Sequence, residues 1–205
     1  MVEWFIAGGA FMWPLLAVAV FGLIVVFYKI FTLMGTGLNA EKLMIDVKKA
    51  IQTQGVPGAL KLVQGNNKPV ALVVNAGLTN AKYGMDNVEK GLINMGGIQN
   101  TYLYSGMVWL STVVALAPMI GFLGTVWGMI AAMDAIAAAN DISPAIVADG
   151  ISQALITTAA GLIIAVTIQT FQNFFQSVIE KRVLEMEESS VALVEVMMDS
   201  EYKDK

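Results

Sequence analysis

The sequence has no cysteine, no histidine and few charged residues, and these absences limit what the chain can do. Without cysteine it has no disulfide, thiol chemistry or thiolate metal site. Without histidine it lacks the commonest acid–base catalyst and the usual axial ligand of haem. Only 14% of the residues are charged, and its long apolar stretches hold no clustered carboxylates that could form a catalytic site. We therefore expect neither an enzyme nor a protein with a metal or cofactor.

Long apolar runs are abundant, since 57% of the 205 residues are hydrophobic. Crossing a hydrocarbon core of about 30 Å takes about 20 apolar residues in a helix. Three runs are long enough: residues 5–27, 107–133 and 151–175. The first run is longer than the apolar part of a secretory signal and lacks a basic start, so it is predicted to be a span and not a cleaved leader. The sequence predicts an all-α membrane protein with three transmembrane helices.

Basic residues lie in two places only: eight of the twelve between residues 29 and 90, and four between residues 181 and 205. The loop between the second and third runs has none and carries Asp134, Asp141 and Asp149. The positive-inside rule therefore predicts an outward N-terminus and short loop. The predicted order is a first span in residues 1–28, a cytoplasmic region 29–106, a span 107–133, an outward loop 134–150, a span 151–175 and a cytoplasmic tail 176–205. The net charge of −4 gives no basis for binding nucleic acid.

Apolar residues at helical spacing among charges predict that the spans continue beyond the membrane. The first is predicted to continue to residue 54, where Gly55 and Pro57 end it. Residues 85–104 are predicted to lead helically into the second span, and the third to extend far into the tail. The apolar run 70–78 is too short to span, and we expect it to pack within the loop region. Because glycine, asparagine and proline interrupt residues 29–106 repeatedly, we do not expect them to form one folded domain.

Small residues at steps of three or four predict a close contact between the second and third spans. Those on the second span surround Thr125: Ala117, Gly121, Gly124, Gly128 and Ala132. Those on the third surround Thr158: Ala154, Gly161 and Ala165. Gln153 and Thr157 lie on the adjoining flank of the third span. Thr125 and Thr158 are predicted to face helices or a cavity. The alternative is ordinary packing, in which each threonine hydroxyl bonds back to its own helix.

Four segments in this order resemble the ExbB/TolQ/MotA group of inner-membrane proton-channel subunits, above all its ExbB and TolQ branch: residues 11–16 (FMWPLL), 69–78 (PVALVVNAGL), 117–128 (APMIGFLGTVWG) and 150–162 (GISQALITTAAGL). They are similar to the start of the first helix, a stretch of the cytoplasmic loop, and the signatures of the second and third helices. Three features depart from this pattern. The first span ends in Tyr28 and Lys29, where an acidic-basic pair is more usual. Gln153 stands where the branch commonly has a glutamate, and glutamine cannot carry a proton. Thr167 replaces a proline, which removes an expected kink.

The resemblance implies a ring, usually a homopentamer, in the bacterial inner membrane, with a periplasmic N-terminus and a cytoplasmic C-terminus. In such rings the second and third helices line a pore that holds the helix of a one-span ExbD/TolR-like protein. Proton flow then drives a TonB/TolA-like envelope protein. A threonine hydroxyl can hydrogen-bond a carboxylate but cannot itself store the proton. The predicted pore-lining residues are Thr125, Thr158, Gln153 and Thr157, and of these Thr125 and Thr158 would contact an aspartate of the partner.

Three alternatives to this function follow from the sequence. A MotA-like stator would engage a cytoplasmic rotor through charged loop residues, and residues 29–106 hold four acids: Glu41, Asp46, Asp86 and Glu89. A secondary solute transporter would normally show internal repeats, which three unequal spans do not. A non-conducting membrane scaffold is compatible with the sequence.

Overall fold

A computed structural model describes residues 2–139 and 144–203, and the described chain is almost entirely helical. It contains seven α-helices: α1 (Val2–Ala7), α2 (Met12–Met34), α3 (Ala40–Val63), α4 (Pro69–Asn80), α5 (Met85–Tyr104), α6 (Met107–Ala139) and α7 (Pro144–Lys203). Short 3-10 turns occupy Gly9–Phe11 and Ala81–Tyr83. Within the described ranges no residue lies in a strand. The predicted all-α class is confirmed.

Three helical stretches of the described chain are long and apolar enough to cross a membrane: Gly9–Met34, Met85–Ala138 and Val147–Asp199. Each contains most or all of one apolar run predicted to span, so the three-span membrane fold is confirmed. The helices α6 and α7 carry apolar side chains on all sides in their membrane portions, as expected where lipid or another helix, and not water, surrounds them. The ring remains a prediction.

The chain divides into two compact units. The first, called here the membrane unit, comprises the described residues of Met1–Lys29 and Gly106–Phe174. The second, called here the charged unit, comprises the described residues of Ile30–Ser105 and Phe175–Lys205. Every described lysine and arginine except Lys29 belongs to the charged unit.

The charged unit has a core of its own, which residues 30–105 build together with the tail and not by themselves. Gly77 of α4 lies so close to α5 and α7 that an added methyl group would be 2.7 Å from Leu92 and 2.9 Å from Leu193. Fully buried core residues come from four helices and include Val47, Val70, Val73, Val74, Val88, Ile179 and Leu193. The tail supplies the apolar surface that completes this core. The sequence of residues 29–106 does not by itself show that contribution.

Two predicted helix continuations are wrong. Between α2 and α3 the chain leaves the helix, and the side chain of Asn39 accepts the N–H of Lys42 at 2.9 Å, a typical N-cap that starts a new helix. Between α5 and α6, Gly106 has a φ of 84°, a conformation that only glycine adopts without strain. The predicted stop at Gly55 is a kink inside α3, where φ is 68°. The predicted extension of the third span is confirmed, since α7 is one helix of 60 residues.

Candidate functional site

The two membrane helices α6 and α7 pack with their backbones almost in contact. An added methyl group at Gly161 would lie 2.5 Å from the carbonyl oxygen of Ala117. The same addition at Gly121 would lie 2.9 Å from the carbonyl oxygen of Thr157, and at Gly128 it would lie 2.9 Å from that of Gly150. Contacts this short leave no room for a Cβ, so glycine is what permits the helices to approach.

The other small residues expected at this contact are buried in the membrane unit. Ala117 is completely buried, and Ala154 and Ala165 are 4% and 7% exposed. An added methyl group at Gly124 would clash with the hydroxyl oxygen of Thr157. The antiparallel pair of α6 and α7 is therefore the scaffold on which the predicted polar residues are placed.

One flank of this helix pair is covered by α2. An added methyl group at Gly22 of α2 would lie 3.0 Å from Val113 of α6 and 3.1 Å from Ile168 of α7. Two aromatic contacts strengthen the packing between the first span and α6: Phe11 with Trp127, ring centroids 6.1 Å apart, and Phe21 with Trp109, 6.0 Å apart. The opposite flank of the pair is not covered by any described helix of the membrane unit.

Thr125 and Thr158 lie toward that open flank. On a helix with about 100° per residue, Thr125 is turned about 120° from Val113, and Thr158 about 80° from Ile168. The Thr158 hydroxyl donates across the helix pair to the carbonyl oxygen of Gly121 at 3.2 Å. The Thr125 hydroxyl lies one turn further along α6 and donates to the carbonyl oxygen of Phe122 at 2.6 Å. Both side chains are half-buried, so each retains lone pairs that a further donor can reach.

Thr157 and Gln153 point away from the open flank. Thr157 is completely buried between the helices, and its hydroxyl donates to the carbonyl oxygen of Ala154 at 2.9 Å. Gln153 lies against the N-terminal segment, where an added methyl group at Gly9 would clash with its Nε2 atom. A residue five positions before Thr158 points about 140° away from it, so Gln153 faces the flank that the first span covers.

A side chain at position 9 is therefore expected to destabilise the protein. The φ of Gly9 is 68°, which an alanine adopts only with strain of about 1 kcal/mol or more, and the added methyl group would also displace Gln153. We expect Gly9→Ala to lower the melting temperature of the purified protein. In the double variant with Gln153→Ala the clash is gone and the backbone strain remains, so part of the stability should return. Equal stability of Gly9→Ala and the wild type would contradict this packing.

The open flank has no ionisable side chain of its own. None occurs in α6 before Asp134 or in α7 between Ile151 and Ile179. Asp134 and Asp149 are exposed at the far ends of these stretches, and Asp141 lies outside the described residues. In the described part of the chain no group of acidic residues could hold a metal ion. The flank can donate and accept hydrogen bonds, but it cannot bind and release a proton by itself.

A second polar contact between α6 and α7, formed by Ser111 and Gln172, was missed from the sequence. The signal that could have found it is spacing. Ser111 lies 14 residues before Thr125, and Gln172 lies 14 residues after Thr158. Residues two heptads apart lie on nearly the same side of a helix.

The polar flank lies in a part of the chain that is similar to known proteins. The sequence profile described as the MotA/TolQ/ExbB proton channel family matches residues 66–188, which include both threonines. The chain is 45% identical over 91 residues to the biopolymer transport protein ExbB of Xanthomonas campestris pv. campestris, covering 44% of this chain and 36% of that protein. It is 38% identical over 74 residues to the biopolymer transport protein ExbB of Salmonella typhimurium, covering 36% and 30%.

A longer and weaker match is to the putative biopolymer transport protein ExbB homolog of Methanothermobacter thermautotrophicus, with 25% identity over 188 residues, 91% of this chain and 67% of that protein. The chain spans about a third of the length of the Xanthomonas and Salmonella relatives.

Proposed function

The chain belongs to the MotA/TolQ/ExbB proton channel family, and on that basis we propose that it is the channel-wall subunit of a proton-driven membrane motor of the ExbB/TolQ kind. Several copies would form a ring, a pentamer by analogy with the ExbB and TolQ branch. The open flanks of α6 and α7 would face the central pore. The membrane in question is the bacterial inner membrane, with the N-terminus in the periplasm and the charged unit in the cytoplasm, as the distribution of basic residues favours.

The observation that carries the proposal is the pairing of Thr125 and Thr158 on the flank that α2 leaves open. Polar side chains in a membrane helix are normally turned toward protein or a water-filled cavity. Here the α2 side of the pair is occupied by apolar and aromatic packing, so the threonine side is the one available to a pore. Of the residues predicted to line that pore, we retain Thr125 and Thr158. Thr157 and Gln153 are assigned to packing within the protomer.

A proton pathway along this flank needs an acid from another chain. The flank offers hydroxyl groups but no group that ionises, and an unpaired carboxylate in the membrane is costly. We infer a one-span partner of the ExbD/TolR kind whose helix occupies the pore and whose aspartate hydrogen-bonds Thr125 and Thr158. A hydroxyl stabilises the charged form of such an acid by donating to it, and the neutral form by accepting from it. The movement would be passed to an envelope protein of the TonB/TolA kind.

Replacing either threonine by valine tests the proposal. Thr158→Val and Thr125→Val keep the side-chain shape and remove the hydroxyl, so the partner's carboxylate loses a hydrogen bond. We expect proton flux in proteoliposomes containing the ring and its partner to fall about tenfold in each variant, roughly the effect of one hydrogen bond to a charged group. Thr167→Val is the matched control, since the Thr167 hydroxyl is exposed and bonds to its own helix at Ile163.

The outcomes separate the remaining possibilities. Equal flux in the wild type, Thr125→Val and Thr158→Val would show that the two threonines only pack between helices. No flux from the wild-type complex under a proton gradient would favour a non-conducting scaffold.

A further inference from the structure

The contact between Ser111 and Gln172 contains a buried acceptor without a partner. Nε2 of Gln172 donates to Oγ of Ser111 at 2.8 Å, and the Ser111 hydroxyl donates to the carbonyl oxygen of Met107 at 3.3 Å. The remaining polar atom, Oε1 of Gln172, is buried and accepts no hydrogen bond from the protein. Leaving such an atom unsatisfied is costly, and in a polar site a water molecule usually supplies the missing donor.

This contact lies on the same flank as the two threonines. Because α6 and α7 are antiparallel, the 14-residue offsets from Thr125 to Ser111 and from Thr158 to Gln172 run toward the same end of the pair. At about 1.5 Å per residue the two polar levels are about 21 Å apart. Half of a hydrocarbon core is about 15 Å. The midpoints of the predicted spans, residues 120 and 163, are nine residues from Ser111 and Gln172, or about 13 Å. This contact therefore lies near the membrane edge, at the end of the spans where the chain continues into the charged unit.

Other amide side chains extend the polar surface of α7 at this level. Gln169 lies three residues before Gln172 and Gln176 four residues after it, which keeps the three on one side of the helix. Gln169 donates to Asn173 at 2.7 Å, and Gln176 donates to Glu180 at 2.9 Å. Both of these bonds stay within α7, whereas that of Gln172 crosses to α6. Gln172 is therefore the amide that is fixed in place and has an acceptor to offer.

We propose that Ser111 and Gln172 hold a water molecule at the mouth of the proton pathway, a site that rests on the proposed function. The bound water donates one hydrogen bond to Oε1 of Gln172. A proton arriving as hydronium from the pore is passed to this water, and the water releases a different proton to the next water outside. Neither side chain changes its protonation state, and no further reactant is consumed. The site lies on the part of the path near the membrane edge, about 21 Å from the threonines.

The hydration of the site can be measured by an experiment that does not depend on proton flux. The chain has no cysteine, so Ser111→Cys creates a single thiol. In membrane vesicles containing the complex, we expect it to react with a small charged methanethiosulfonate at least about tenfold faster than Thr170→Cys, because only a hydrated thiol ionises readily. Thr170 lies at nearly the same depth, points about 160° away from Gln172 and bonds to its own helix at Val166.

Flux measurements then test whether the water serves the pathway. We expect Gln172→Leu to lower proton flux about tenfold and Gln172→Glu, which keeps an acceptor oxygen, to stay within about threefold of the wild type. Loss of flux in the wild-type complex would refute the proposed function itself. Normal wild-type flux together with an unreactive Ser111→Cys, or with an unaffected Gln172→Leu, would refute only this site.

Discussion

Replacing Gly161 by alanine is expected to drive α6 and α7 apart and to destabilise the membrane unit by about 3 kcal/mol, the upper part of the usual range for overpacking. The added methyl group would lie 2.5 Å from the carbonyl oxygen of Ala117 and 3.3 Å from Cα of Gly121. Both are backbone atoms, so no side chain can rotate to make room. The helices must separate, and the hydrogen bond from Thr158 to Gly121 must lengthen or break.

Two measurements check this expectation. The melting temperature of the purified protein should fall, and proton flux through the complex should fall with it because the open flank is reshaped. Gly96→Ala is the matched control, since nothing lies within 4 Å of a methyl group added there and alanine favours a helix over glycine. A Gly161→Ala protein as stable as Gly96→Ala would show that the helix pair can relax at little cost.

Truncating Leu193 is expected to have a comparably large effect on the charged unit. Leu193 is completely buried, and its side chain lies beside Gly77 of α4, where the tail completes the core of the preceding region. Leucine-to-alanine changes at such positions cost about 2–5 kcal/mol, through lost burial and the cavity left behind. We therefore expect Leu193→Ala to expose the region between α3 and α5 to proteolysis at temperatures that the wild type withstands.

Val191→Ala is the control for this change, because Val191 lies on the same helix and is 60% exposed. Its truncation removes little buried surface and should leave the protease-resistant core intact. If both variants resist proteolysis as the wild type does, the α7 tail is not needed for the core of the charged unit.

The sequence predicted those features that depend on local pattern. The length of the apolar runs required three spans, and the steps between Gly121, Gly128 and Ala132 indicated a contact face because helical geometry fixes which residues share a side. Features that depend on residues distant in the sequence could not be predicted from it. The core around Gly77 needs Leu193, which lies more than one hundred residues later. Gln153 was grouped with Thr158 because no local pattern shows that the N-terminal segment packs against it.

The helix breaks illustrate the same limit. Gly106 looks like any other glycine near a membrane helix, and only its positive φ in the folded chain shows that α5 and α6 are separate. A glycine is compatible with both a continuous helix and a turn. The choice between them is made by tertiary packing, which is not encoded in the immediate neighbours.

The lack of ionisable groups on the open flank has a consequence for assembly in the cell. In the proposed ring, Thr125 and Thr158 would supply hydroxyl groups but no group on which a proton can rest, so the titrating acid would arrive only with the partner chain. Rings made in excess of their partner would then lack that acid, and we expect them not to drain the proton gradient. Proton transport would begin only in complete assemblies.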